Sequence, residues 1–204
     1  MIDRVLVAYH MFEQEGLGAR LPPGELGKIV QSQIDAHPVR KERLLYIASL
    51  CEGKYTPLAR YTRAYALLWA GASARPDAIE AMREYINSGI VAKELPNHEK
   101  VDQLRAWDYH SLAGALEGEY QFEEAYDAYA KALSLNPALS PAAIKRSLLL
   151  VKMGRMDDAI DQLVVYHDSG VCPKELESSV VASIKEIREK KRKGYVYRPR
   201  KKNK

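Results

Sequence analysis

The side chains that could do chemistry are placed in a way that argues against a catalytic centre. Five histidines, His10, His37, His98, His110 and His167, occur with no HExxH array or similar ligand spacing, and zinc or hydrolytic sites draw on such short arrays. The two cysteines, Cys51 and Cys172, are far apart in sequence, which suits reduced packing residues and neither a CxxC pair nor a disulfide framework. No GxxxxGK[ST] or GxGxxG string is present to cradle a phosphate. The acidic string EGEYQFEE, Glu117–Glu124, falls on a turn between helices, where a solvated face accounts for it. It offers no paired carboxylates arranged for acid–base work. The chain is therefore expected to be no enzyme and to hold no metal and no cofactor.

Concentrated charge is found at one end. From Arg188 to Lys204 there are ten Lys or Arg against one Glu, a net charge of +9, while the whole chain carries +4, so residues 1–187 carry −5. Lys190, Lys191, Arg192, Lys193, Arg198, Arg200, Lys201 and Lys202 could meet phosphates, and Tyr195 and Tyr197 could stack on unpaired bases. RNA or DNA contact through this tail is one expectation. Others are a disordered, solvated terminus, docking on the acidic body, or contact with an anionic membrane surface.

No stretch of about 18 or more apolar residues exists, so no membrane span is expected. The start Met1-Ile2-Asp3-Arg4 lacks the basic-then-apolar pattern of a secretory signal. A cytoplasmic location follows as an expectation.

The elements that would position these residues are helices. Apolar residues recur at helical spacing over 1–15, 25–36 and from Pro38 toward Gly53. From Thr56, a capping residue followed by Pro57, the pattern becomes helix, tight turn, helix. One helix runs to Gly71 and its partner from Asp77 to Asn87, closed by Ser88-Gly89. Further helices are predicted over 97–117, 122–135, 141–153 and 157–168. A last one begins near Pro173 with Leu176, Val180, Val181, Ile184 and Ile187 on one narrow face.

Two of these helix pairs, Ala106–Leu139 and Ser140–Pro173, share a 34-residue period, the mark of stacked helix pairs. The first resembles a tetratricopeptide repeat through Tyr109, Leu112, Ala113, Leu116, Ala125, Tyr129, Ala132 and Pro137, and through the string FEEAYDAYAKALSLNP. The second keeps Gly154, Met156 and Ala159 but has Arg146 where leucine is usual and Val171 where proline is usual. An internal match adds an earlier unit: AIEAMREYINSGIVAKEL from Ala78 aligns without gaps to AIDQLVVYHDSGVCPKEL from Ala159. That earlier unit spans Ala59–Ala92, with Ala66, Trp69, Ala78, Met82 and Tyr85 at its signature positions.

The resemblance implies an all-α fold, a right-handed α-solenoid of antiparallel, tetratricopeptide-like helix pairs. Residues 1–58 would form N-terminal helices, either a diverged repeat or a cap. Residues 59–173 would form the repeats, with an insertion at 93–105; 174–193 a capping helix; and 194–204 a basic, disordered tail. It also implies a protein or peptide partner held in a concave groove, as by a scaffold or adaptor. Carried over residue by residue, the groove would present Arg60, Arg63, Leu67, Trp107, His110, Ser111, Lys145, Leu148 and Lys152. Trp107 with Arg63 and Lys145 suits an acidic or carboxylate-ended peptide with an apolar anchor. Asn is absent from the groove positions that make a chaperone-type carboxylate clamp, so chaperone C-termini are not the expected partner.

Overall fold

The Gly, Pro and Ser punctuation of the sequence coincides with the helix ends. A computed structural model describes residues 40–53, 57–89, 91, 93 and 100–198, and among them every regular element is helical. These are α1 (Arg40–Leu50), α2 (Pro57–Trp69), α3 (Arg75–Asn87), α4 (Val101–Gly118), α5 (Phe122–Leu135), α6 (Ser140–Lys152), α7 (Met156–Asp168) and α8 (Lys174–Arg192). A short 3-10 turn, Ala72–Ala74, joins α2 to α3. No described helix is long and apolar enough to cross a membrane. The helices expected over 1–15 and 25–36, the Thr56 cap and residues 94–99 of the insertion lie outside the described residues, as do Arg200, Lys201 and Lys202.

The chain divides into two compact units, 1–104 and 105–204, and the division falls within α4. In the first unit α2 packs against both α1 and α3. Its core is built from Leu44, Ala48 and Cys51, the alanines and Leu67 of α2, and Ala78, Ile79, Met82 and Tyr85 of α3. So many alanines on facing helices let the backbones approach closely, and the larger Met82 and Tyr85 fill the spaces left. Tyr61, Tyr65 and Trp69 recur every four residues along α2, with ring centroids 4.5 and 5.5 Å apart.

In the second unit the positions equivalent over one period are buried alike. Leu116 and Leu150, Ala125 and Ala159, and Tyr129 and Leu163 are all in the core. α6 packs against α5, α7 and α8. Its Leu150 and Val151 meet Ala159 and Leu163 of α7 and Val180, Ile184 and Ile187 of α8 in one cluster. Only those three residues of the expected α8 stripe are buried; Leu176 and Val181 face outward. Acidic residues open α8 and basic ones close it, matching the polarity of its backbone dipoles.

Side-chain ties link neighbouring helices. Ser140 Oγ and Tyr166 Oη lie 2.9 Å apart, and Ser140 Oγ also lies 3.7 Å from Cys172 Sγ, 32 residues on. Cys51 and Cys172 are buried and form no disulfide, as packing residues should be. The Gln162 side-chain amide meets Tyr126 Oη across 36 residues. Arg146, standing where the repeat pattern has leucine, keeps its guanidinium 4.1 Å above the Tyr126 ring and donates from Nη2 to Tyr126 Oη at 2.8 Å. Stacking on an aromatic face is what a planar, weakly hydrated guanidinium tolerates in a half-buried place.

Two of the turns, those after α4 and α6, share one geometry. After α6, Gly154 takes φ 80° and the Arg155 N–H donates to the Leu150 carbonyl at 2.8 Å. After α4 the same role falls to Tyr120, φ 64°, with the Gln121 N–H donating to the Leu116 carbonyl at 3.0 Å. This left-handed closure satisfies helix-end carbonyls, and it is cheap for glycine but strained for tyrosine.

Candidate functional site

The sequence-derived groove residues fall into two sets, one in each unit. In the first unit Leu67 is only 6% exposed and belongs to the core. This corrects its assignment to the groove, because α2 turns that position inward with Ala64 and Ala70. Arg63 is drawn to Glu84 of α3 at 3.5 Å, and Arg60 is half-buried.

In the second unit α4, α5 and α6 assemble a continuous polar and aromatic face. Trp107 is 41% exposed while Ala106 and Asp108 on either side of it are buried, so the indole projects outward from α4. Its ring meets His110 edge-on at 5.1 Å, and His110 in turn meets Tyr129 of α5 at 5.4 Å. His110 Nε2 is buried and has no hydrogen-bond partner. Burial first, and the Lys145 charge second, hold the His110 pKa below its ordinary value, with Glu117 opposing. The imidazole is thus neutral near pH 7, since protonating it would place a second cation beside Lys145 in a poorly solvated place.

Glu117 joins this face to its far end. Tyr129 Oη donates to Glu117 Oε2 at 3.2 Å, and Lys152 Nζ donates to Glu117 Oε1 at 2.5 Å. The Glu117 and Lys152 side chains are 14% and 26% exposed, so the pair is screened less than a surface ion pair. Burial pushes the Tyr129 hydroxyl well above the usual range, reinforced by the Glu117 charge and the hydrogen bond to it. Tyr129 is therefore a fixed donor and not an acid in any reaction near neutrality. The Lys152 ammonium lies 5.6 Å from the ring centroids of both Phe122 and Tyr197.

Of the groove set, Trp107, His110 and Lys145 come together. Lys152 belongs to the Glu117 corner, Ser111 is half-buried, and Leu148 packs on the α6–α8 core. Glu117, Phe122 and Tyr129 are members of this face that sequence reasoning missed, because the acidic string around Glu117 reads as a solvated turn. Tyr129 carried a usable signal. It sits at a core position of the repeat, and a buried tyrosine needs an acceptor within reach. The described residues contain no group of three or more His, Cys, Asp or Glu placed to hold a metal ion.

Of the basic tail, residues 194–198 are described, and they lie against the end of the second unit. Gly194, at φ 65°, reverses the chain after α8, with the Tyr195 N–H donating to the Lys190 carbonyl at 3.0 Å. Tyr197 then meets Phe122 edge-on at 5.8 Å. Lys190 pairs with Glu186, Lys193 with Glu189 and Lys191 with Asp157. Lys190 Nζ also lies 5.5 Å from the Tyr195 ring centroid. Arg192 and Arg198 are exposed. Comparison with protein-family models finds no match, and neither the curated proteins nor the solved structures yield one.

Proposed function

We propose that this chain is a non-enzymatic, tetratricopeptide-like adaptor in which a partner segment lies against the α4–α6 face of the second unit. The observation that carries this reading is Trp107: a large indole left 41% exposed beside a neutral, half-buried histidine and the Lys145 charge. An aromatic anchor against a histidine that feels the Lys145 charge suits a segment that combines an apolar side chain with a carboxylate. The right-handed solenoid belongs to the same proposal. Its support is the alike burial of equivalent positions and the ties at one-period separation, such as Lys191 to Asp157 across 34 residues. Stacked helix pairs present surfaces, which favours binding over chemistry, and a cytoplasmic setting suits two buried cysteines that form no disulfide.

Nucleic-acid contact through the tail is the weaker reading, because Lys190, Lys191 and Lys193 already meet carboxylates of the chain and Tyr197 already meets Phe122. The test is affinity capture from lysate with nuclease present, comparing wild type with a Trp107→Ala, Lys145→Ala double variant. The double variant is expected to keep wild-type helicity and to lose the captured protein by about ten-fold or more, the scale of an aromatic hot spot. Undiminished capture by the double variant would overturn the proposal.

A further inference from the structure

We infer that the corner formed by Phe122, Lys152 and Glu117 is a binding subsite for a tyrosine-bearing basic segment, and that the chain's own tail, through Tyr197, occupies it as a latch. The docking is observed in the fold, whereas its effect on a partner rests on the adaptor reading above.

Three features support a built subsite over an accidental contact. The first is how the tail arrives. Gly194 caps α8 in the left-handed conformation, with the Tyr195 N–H tied back to the Lys190 carbonyl. Lys191 anchors the last turn of α8 to Asp157 at the start of α7.

The second feature is the receiving side. Tyr197 enters edge-on to Phe122, and Lys152 Nζ sits at the same 5.6 Å from both ring centroids. Lys152 is itself held by Glu117, a tie that does not depend on either ring. Charge favours the same occupant, because Glu119, Glu123 and Glu124 flank Phe122 while Arg198 follows Tyr197 and further basic residues follow Arg198.

The third feature is strain. Tyr120 holds φ 64° at a turn position where the next repeat has Gly154, and its ring meets Phe122 at 6.0 Å. A bulky residue kept in the left-handed region marks a place where the side chain, and not the turn alone, is in use.

The latch is weak by construction. One edge-on ring pair and one cation–ring contact favour closure by about ten-fold. A tethered segment acts at an effective concentration in the millimolar range, so the same segment in trans should bind with a Kd on the order of 0.1 mM. A ligand with a better aromatic anchor would displace it and free Phe122 and Lys152, extending the Trp107 face toward this end.

The test uses a synthetic peptide of the sequence of residues 194–204, titrated by NMR into the full chain carrying Tyr197→Ala and into wild type. The peptide is expected to bind the variant and to bind wild type about ten-fold more weakly, because the corner is already filled. The same peptide carrying Tyr197→Ala should lose most of its affinity for either chain, and this arm is independent of protein folding. Equal affinity for the two chains, or for the two peptides, would overturn the latch. A partner captured through Trp107 that binds wild type and Tyr197→Ala equally would overturn the gating and leave the adaptor reading standing.

Discussion

His110 shows how one side chain can read the state of its surroundings. Its ring is held between Trp107 and Tyr129, its Nε2 is buried without a partner, and burial and Lys145 both disfavour the charged form. Folding therefore lowers its pKa from the ordinary 6.5. The unfolded chain then binds the proton more readily, so this group's contribution to stability is fully present above 6.5 and is lost as the pH falls through the folded value. Thermal melts across pH 4.5–8 check this. Wild type is expected to lose more stability on acidification below about pH 6.5 than His110→Gln does, with the two curves parallel above it. Identical slopes below that point would show that His110 is not held neutral.

Helix packing decides what the repeat pattern can tolerate. Ala113 of α4 and Ala125 of α5 are both fully buried, as the resemblance requires of small residues at a close helix crossing. Ala125→Leu has no room to enter and should destabilise the chain by about 1–3 kcal/mol, read from urea unfolding midpoints. An unchanged midpoint would mean that α4 and α5 do not meet there. The α5 boundaries, Phe122–Leu135, match the sequence expectation residue for residue, because Asn136-Pro137 stops the helix and acidic residues open it. The departures have physical causes. Leu67 turns inward where a groove position was expected, because side-chain direction depends on how α2 is rotated against its neighbours. Arg146 stands in a leucine position because Tyr126, a residue of the preceding helix, supplies both a ring and a hydroxyl.

On the scale of the whole molecule, the uneven charge matters most. An acidic body and a basic tail in one chain attract each other; Lys191 meets Asp157 of α7, while Lys190 and Lys193 meet Glu186 and Glu189 along α8 itself. These pairs are largely exposed and individually weak, so salt should loosen the tail without releasing it. Chymotrypsin cleavage after Tyr197 is expected to speed up by about two- to five-fold between 0.05 and 1 M salt, the effect of screening one or two surface pairs. Cleavage in Tyr197→Phe, which keeps the ring contact, should follow the same salt dependence. A rise of a hundred-fold or more would mean that charge alone, and not the Phe122 contact, holds the tail.

Helix positions, the turn residues, the spacing of buried alanines and the charge split were all legible in the sequence, because each depends on local propensity and on a period that neighbouring residues carry. The exposure of Trp107 could be anticipated, because the repeat pattern puts Tyr109, and not Trp107, at a signature position. What needed the folded chain was every relation between side chains of different elements: Glu117 with Lys152, Tyr126 with Arg146, and Tyr197 with Phe122. A basic tail ending in tyrosines has the same sequence whether it is free, on nucleic acid or against its own body. Its choice depends on where helix packing sets Phe122 and Lys152, and on the direction in which Gly194 sends the chain.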